Sequence, residues 1–122
     1  MMKENIILNK TYQFAVRIVK LNRYLSNSTN QYDIARQILR SGTSVGANTE
    51  EAIGAESKKD FIHKISISYK EARETKYWLR LLRDAEVLES KMVESLLIEI
   101  EEILAILGKI KITSSKSIRK KH

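Results

Sequence analysis

The feature that most constrains this chain is a run of residues spaced alternately three and four apart between positions 61 and 82. This spacing places them on one face of an α-helix, which has about 3.6 residues per turn. The chain contains no proline, so its composition permits helices of this length. The run predicts a long helix with one buried face, formed by Phe61, Ile65, Ser68, Ala72, Thr75, Leu79 and Leu82.

Three further segments repeat the pattern. We predict helices at about 9–26, 31–54, 58–85 and 90–110, with Asn9, Asn30, Ser57 and Ser90 as N-terminal caps. The breaks between these segments are short, so successive helices turn back on one another. The sequence therefore predicts an all-α protein, an antiparallel up-down four-helix bundle at residues 1–112, followed by a disordered basic tail at 113–122.

The segment from Arg40 to Ala52 combines helical spacing with residues that helices usually avoid. Gly42 and Gly46 lie four apart on one helical face, and each costs about 1 kcal/mol relative to alanine. Small side chains on that face would let another helix approach unusually closely, and the van der Waals contact would offset this cost. The alternative is a loop, because Ser, Gly, Thr and Asn also cluster in turns.

Polar residues also occur on the buried face predicted for the second helix. Ser41 and Asn48 alternate with apolar residues there. We expect both side chains to form hydrogen bonds across the interface or to nearby carbonyls, because an unpaired buried polar group costs about 1 to 3 kcal/mol. Asn48 has two interpretations, a ligand-binding amide or a residue that fixes helix register, and the structural interpretation is the more common one for such residues.

Two groups of residues in these helices resemble the small four-helix bundle proteins encoded in 23S rRNA intervening sequences, the S23 family. The first group is Arg40, Ser41, Ser44, Val45, Asn48, Glu51 and Ala52. The second group is Lys59, Asp60, Phe61, Ser68, Glu71, Glu74, Thr75, Tyr77, Trp78 and Leu79. Together they extend the resemblance over residues 10–108, which is nearly all of the predicted bundle.

This resemblance implies a fold and an assembly but no settled biochemical activity. It implies a ring-shaped homopentamer and a structure similar to the accessory variability determinant protein of diversity-generating retroelements. We assign a structural role to the signature, by which we mean Arg40, Ser41, Gly42, Ser44, Gly46, Asn48 and Glu51.

The formal net charge of +7 is distributed unevenly. Residues after Gly108 carry six cations and no acidic residue, which leaves +1 for residues 1–107. The fourth predicted helix is acidic, with Glu94, Glu99, Glu101 and Glu102, whereas the first and third are rich in Lys and Arg. Opposite charges on different helices favour a homo-oligomer in which they face each other between subunits.

Sites for catalysis and metal binding are not indicated. The chain has no cysteine, and its two histidines, His63 and His122, are not spaced for metal binding with any glutamate pair. We predict a non-enzymatic protein without metal or cofactor. The first ten residues lack a signal-peptide pattern and no apolar run is long enough for a membrane span, so we expect a cytoplasmic protein that does not interact with membranes.

Two functions remain open from the sequence. The first is nonspecific binding of RNA or DNA through phosphates, with the candidate residues Arg17, Lys20, Arg73, Lys76, Arg80, Arg83, Lys116, Arg119, Lys120 and Lys121. Tyr69, Tyr77 and Trp78 would then be able to stack on bases, although Trp78 on a bundle helix more often belongs to a core or an interface. The second is a structural or protein-binding oligomer whose charges serve only its own assembly.

Overall fold

The computed structural model of the chain describes the backbone of residues 2–121 and the side chains of residues 6–118. Four α-helices follow one another: α1 (Met2–Ser28), α2 (Tyr32–Ile53), α3 (Lys58–Asp84) and α4 (Ser90–Lys121). Residues 2–121 contain no β-strand. The predicted all-α class with four helices is therefore confirmed, and the ends of α2 and α3 lie within one residue of the predicted positions.

Helix α1 begins earlier than its sequence indicated. Asn9 was predicted to cap the helix, but it lies exposed within α1, which starts at Met2. The reason is that the apolar face continues toward the N-terminus. Ile7 is fully buried and extends the stripe formed by Phe14 and Ile18, so helical structure before Asn9 buries apolar surface.

Helix α4 extends past its predicted end near residue 110. The prediction of a disordered tail at 113–122 is wrong for the described part, because residues 113–121 are helical. Gly108 does not end the helix, and a Cβ added there would lie 3.5 Å from Tyr69 Cε2, an ordinary van der Waals distance. Ile110 packs against the core, and Lys58 Nζ donates a hydrogen bond of 3.1 Å to Ser117 Oγ. The start of α3 thus still contacts α4 at this position.

The turns that precede α2 and α3 differ in how well their caps were predicted. The Ser57 hydroxyl accepts a hydrogen bond of 3.0 Å from the backbone N–H of Asp60, which confirms the predicted cap of α3. Asn30 does not cap α2, because its backbone is left-handed with φ of 58° and the N-cap position belongs to Gln31. The Asn30 side chain instead accepts a hydrogen bond from the Tyr32 hydroxyl.

The turn from α3 to α4 closes without glycine. Glu86 takes the left-handed conformation with φ of 57°, and its N–H donates to the Arg83 carbonyl while that of Val87 donates to the Leu82 carbonyl. These two bonds form the Schellman arrangement that ends many helices, usually with glycine in the left-handed position. The sequence contained no glycine to mark this turn.

Helix α1 approaches α2 closely at the two glycines of the signature. A Cβ atom added at Gly42 would lie 2.8 Å from Ile18 Cγ2, and one at Gly46 would lie 3.3 Å from the Thr11 carbonyl oxygen. Any larger side chain would therefore force the helices apart. The predicted close approach is confirmed, and its partner is α1.

The helices form one core, with α2 between α1 and α3, and α4 next to α3 and α1. Between neighbouring helices the contacts run in opposite residue order, so residue numbers rise along one helix as they fall along the other. Representative pairs are Thr11 with Gly46 and Ile18 with Gly42; Ser41 with Thr75 and Thr49 with Ser68; Lys76 with Glu101 and Arg83 with Glu94; and Lys10 with Glu102 and Arg17 with Glu99.

Candidate nucleic-acid interface

A groove with a volume of about 460 Å³ lies between α3 and α4 on the surface of the protein. We call it the α3–α4 groove. Its α3 side carries basic and aromatic residues that share one helical face, and its α4 side carries small and apolar residues with one carboxylate. The lining residues are Tyr69, Arg73, Lys76, Tyr77, Arg80, Glu101, Leu104 and Ala105.

The four cations of α3 that were predicted as phosphate contacts fall into two groups, those in ion pairs and those without. Lys76 forms an ion pair with Glu101, and Arg83 pairs with Asp84 and Glu94 at 2.9 Å each. Arg73 and Arg80 are exposed, and neither forms an ion pair with a carboxylate of the described residues. The groove therefore contains two guanidinium groups without an ion-pair partner in the described part of the chain.

The remaining predicted cations lie outside the groove. Arg17 on α1 forms an ion pair with Glu99 of α4, and Lys20 on α1 is exposed. Lys116 is exposed near the end of α4. The side chains of the last three candidates, Arg119, Lys120 and Lys121, lie outside the described residues.

Charges predicted to meet between subunits pair within one chain instead. Lys10 and Arg17 of α1 pair with Glu102 and Glu99 of α4. Cations of α3 pair with the other two glutamates of α4 in the same way. All four glutamates of α4 are therefore paired within the chain. The charge difference between helices, which the sequence suggested as support for an oligomer, does not indicate a subunit interface.

Two features of the groove were missed because the sequence did not place α4 against α3. Glu101 is its only acidic lining residue, and its position relative to Lys76 depends on the helix register. Lys111 was counted only among the six cations after Gly108, but its Nζ lies 5.7 Å from the centre of the Tyr69 ring, in cation–π range. The helical spacing of Glu101, Leu104 and Gly108 was the available signal for the face that meets α3.

Buried hydroxyl groups connect α2 and α3 on the opposite side of α3. Thr75 Oγ1 lies 2.9 Å from Ser41 Oγ, and Thr49 Oγ1 lies 2.9 Å from Ser68 Oγ. Ser68 Oγ also donates to the Val45 carbonyl at 2.7 Å. All four hydroxyl side chains are fully buried, and no buried side-chain polar atom of the described residues lacks a partner. The hydrogen bond predicted for Ser41 is therefore confirmed.

The hydrogen bond predicted for Asn48 is also confirmed, but it lies within α2. Its Nδ2 donates to the Ser44 carbonyl at 2.8 Å, one turn earlier in the same helix. This contact does not bridge two helices, so it gives Asn48 no part in fixing helix register. Hydroxyl groups connect α2 and α3 instead, through the hydrogen bonds between Ser41 and Thr75 and between Thr49 and Ser68.

Arg40 joins α2 to α3 at the edge of this contact. Its guanidinium donates to Glu71 Oε2 at 3.1 Å and to Glu74, which also accepts a 3.0 Å hydrogen bond from Trp78 Nε1. The hydrogen bond to Glu74 raises the pKa of Arg40. Partial burial opposes ionisation of Glu74, but the bonds from Trp78 and Arg40 outweigh it and lower the pKa of this carboxyl group. Both groups are thus held charged.

The signature residues therefore lie mainly in helix contacts. Gly42 and Gly46 meet α1, Ser41 and Arg40 meet α3, and Glu51 forms a 3.0 Å ion pair with Lys64 of α3. None of them lines the α3–α4 groove. Their observed contacts account for the presence of small and polar residues within a helix.

No group of three or more His, Asp or Glu side chains among the described residues is arranged to hold a metal ion. The expectation of a protein without metal, cofactor or enzymatic activity stays a prediction. Within residues 2–121, each helix is too short or too polar to span a lipid bilayer.

The chain is similar in sequence and fold to known proteins. The family described as 23S rRNA-intervening sequence protein matches residues 3–109. A crystal structure of a protein with unknown function from the S23 ribosomal protein family of Bacteroides thetaiotaomicron is 45% identical in sequence. It superimposes with a TM-score of 0.87 and covers 89% of this chain and 97% of its own. No curated protein matches the chain.

The family match covers nearly all of α1, all of α2 and α3, and α4 as far as residue 109, and it includes both groups of residues that carried the resemblance. The structural match extends the similarity to the packing of the helices. The chain therefore belongs to the 23S rRNA-intervening sequence protein family.

Proposed function

We propose that this protein is a non-enzymatic, oligomeric nucleic-acid-binding protein that holds the phosphate backbone in the α3–α4 groove without base specificity. The observation that carries the proposal is the pair of guanidinium groups, Arg73 and Arg80, which line an open groove without an ion-pair partner in the described part of the chain. Guanidinium groups bind phosphate with directed, charge-assisted hydrogen bonds.

The spacing of these groups suits an extended polyanion. Arg73 and Arg80 are seven residues apart on α3, which corresponds to roughly 10 Å along the helix axis and nearly the same helical face. Lys76 lies between them and Lys111 lies beyond Tyr69. Three of these cations line the groove, and Lys111 lies beside it over the Tyr69 ring. Because Lys76 is paired with Glu101, a phosphate backbone following the groove would meet chiefly Arg73, Arg80 and Lys111.

The far end of α4 extends this positive surface. Lys109 and Lys116 are exposed on the same helix, seven residues apart, and the described part of α4 after Gly108 has no acidic residue. Because this segment is helical, its lysines keep fixed positions relative to the groove. The basic end of α4 is therefore a second contact zone in the proposal, separate from the pairs that neutralise Arg17 and Arg83.

The experiment is a fluorescence-anisotropy titration of labelled oligonucleotides at several salt concentrations. The double substitution Arg73→Gln and Arg80→Gln should weaken binding and make the slope of log K against log salt shallower by about 1.4 for a single strand, if each arginine contacts one phosphate. A matched control is Arg23→Gln with Lys91→Gln, which removes two exposed cations outside the groove. Equal losses for both double variants would contradict the groove as the site.

A second candidate function is a structural or protein-binding oligomer. It is favoured by apolar side chains on the outer face of α4. The intramolecular pairing of Arg17, Lys76 and Arg83 also leaves fewer cations available to phosphate. Ile98 and Ile112 are each 59% exposed, which leaves apolar area for contact with another copy of the chain. Absence of any oligonucleotide binding by the intact protein at low salt would leave this function as the better one.

The assembly itself forms part of both proposals. The opposite residue order of all four helix contacts supports an antiparallel up-down bundle. A ring-shaped homopentamer is what the family resemblance implies, and the stoichiometry of five has no other support. Light scattering that yields the monomer mass at micromolar concentration would remove the oligomer from the proposal. The cytoplasmic location and the similarity to the retroelement accessory protein stay predictions.

A further inference from the structure

We infer that the α3–α4 groove takes single-stranded rather than duplex nucleic acid, with one unstacked base lying on the ring of Tyr77. The inference rests on the proposed function and deepens it by naming the form of nucleic acid bound. It comes from the position of Tyr77 among the groove cations, from the fixed orientation of its ring and from the size of the groove.

Tyr77 offers an accessible aromatic surface in the groove. It lines the groove, and its side chain is 56% exposed. The ring packs edge-to-face against Trp78, with 5.2 Å between ring centres and 74° between ring planes. Trp78 is itself held by its hydrogen bond to Glu74 and by contact with the core. This chain of contacts orients the Tyr77 ring before any ligand arrives, which lowers the entropy lost on binding.

Cations flank this ring on both sides along α3. Arg73 precedes Tyr77 by four residues and Arg80 follows it by three, so the backbone position of each arginine lies about one helical turn away, roughly 5 Å along the axis. A base on the ring would therefore have a cation on either side for the phosphates of its own strand. Sites for single strands combine these two elements, a cationic groove and an aromatic ring on which a base stacks.

A duplex cannot place a base on the Tyr77 ring. Its bases are stacked on one another, and only unstacked bases reach aromatic side chains. The volume of about 460 Å³ lies within the range of about 300–1,000 Å³ typical of small-molecule pockets. That size suits an enclosed nucleotide, whereas a duplex could meet the groove only along its rim. Leu104 and Ala105 line the α4 side of the groove with apolar side chains.

Glu101 lowers the affinity of the groove for phosphate. Its carboxylate pairs with Lys76 and is the single acidic group of the lining. A phosphate that approaches Lys76 must compete with this carboxylate. Glu101→Gln should therefore strengthen binding of a single strand and increase its salt dependence, because Lys76 becomes available as a further phosphate contact.

The test compares a labelled single strand with a hairpin duplex of equal phosphate number, using wild type, Tyr77→Ala, Tyr77→Phe and the control Tyr12→Ala. Tyr12 is an exposed tyrosine of α1 outside the groove. We expect tighter binding of the single strand by wild type and by Tyr77→Phe. Tyr77→Ala should lose about 5-fold to 150-fold for the single strand and little for the duplex. Trp78 is the only tryptophan and contacts the Tyr77 ring, so quenching of its fluorescence by the single strand that is altered in Tyr77→Ala but kept in Tyr77→Phe and Tyr12→Ala supports a base at Tyr77.

Failure of this inference differs from failure of the proposed function. Equal binding of single strand and duplex, unchanged by Tyr77→Ala, overturns the stacking site while phosphate binding through Arg73 and Arg80 stands. No binding of either oligonucleotide by wild type overturns both. Circular dichroism of Tyr77→Ala checks that it is folded, and Tyr77→Phe, which keeps the ring, decides the outcome where the alanine variant is unstable.

Discussion

Helix α3 has two faces that differ in how completely their polar groups are used within the chain. Toward α2, Ser68 and Thr75 are fully buried and hydrogen-bonded, and Glu71 and Glu74 are held by Arg40. Toward α4, a groove remains, with Arg73 and Arg80 unpaired in the described part of the chain. One face is closed by the fold, and the other keeps charged and aromatic groups available.

This difference explains why the family assignment establishes the fold more readily than the function. The signature residues meet α1 and α3 in contacts that require small or polar side chains. The groove is built from other positions, with Tyr77 as the one residue that also belongs to the matched groups. A sequence signature that reports helix packing identifies relatives with the same bundle and gives no direct information about what the groove binds.

The largest effect is expected where a side chain added to α2 would meet the backbone of α1. Gly46→Leu should lower the free energy of unfolding by about 1–3 kcal/mol, because a Cβ at this position already lies 3.3 Å from the backbone carbonyl of Thr11. Backbone atoms cannot move aside as a flexible side chain can. Urea denaturation followed by circular dichroism measures the change. A variant as stable as wild type would show that α1 and α2 do not pack closely at this position.

How much the sequence predicts depends on whether a feature is local to one helix. The buried face of α3, its cap at Ser57 and the close approach at Gly46 all follow from spacing and side-chain size within a single segment. The predicted start of α1 was wrong. Asn9 is a common cap residue, but the burial of Ile7 favours a helix that begins before it. The predicted end of α4 was wrong because the dense charge of the last residues suggested disorder, whereas Ile110 contacts the core and α4 continues beyond it.

The candidate site depends on contacts between helices, and this limited its prediction. The cationic face of Arg73, Lys76 and Arg80 was visible from helical spacing. Which of these cations would be neutralised depends on where α4 lies along α3, since a shift of one residue would move Glu101 away from Lys76. The groove and its unpaired arginines are therefore consequences of helix register, which no single segment encodes.

A smaller effect of opposite sign is expected at the glycine that borders the groove. A Cβ at Gly108 would lie 3.5 Å from Tyr69 Cε2, an ordinary van der Waals contact. Gly108→Ala should therefore raise the free energy of unfolding by up to about 1 kcal/mol, because alanine favours the helix and no backbone must move. The same urea titration compares it with Gly46→Ala, whose Cβ meets backbone. Destabilisation by Gly108→Ala would show that the groove side is as tightly packed as the α1–α2 contact.

The smallest effect concerns the ion pairs on the closed face of α3 and depends on pH. The pKa of Glu74 lies below its ordinary value of 4.5, so the folded state binds this proton less readily than the unfolded state. Its contribution to stability is therefore fully present above about pH 4.5 and is lost as pH falls through the lowered pKa. The Glu74 side chain is 35% exposed, so solvent screening limits the contribution to about 0.5 kcal/mol.

Glu74→Gln isolates this contribution, because the amide oxygen still accepts the hydrogen bond from Trp78 Nε1 while the charge opposite Arg40 is lost. Urea unfolding of both proteins at neutral pH and near pH 3 gives the stability difference between them. That difference should shrink on acidification, since only wild type loses the Arg40–Glu74 ion pair, whereas the Arg40–Glu71 pair and all other carboxylates titrate in both proteins. A difference that is the same at both pH values would mean that Arg40 does not hold Glu74 ionised, and the two faces of α3 would then differ in hydroxyl contacts alone.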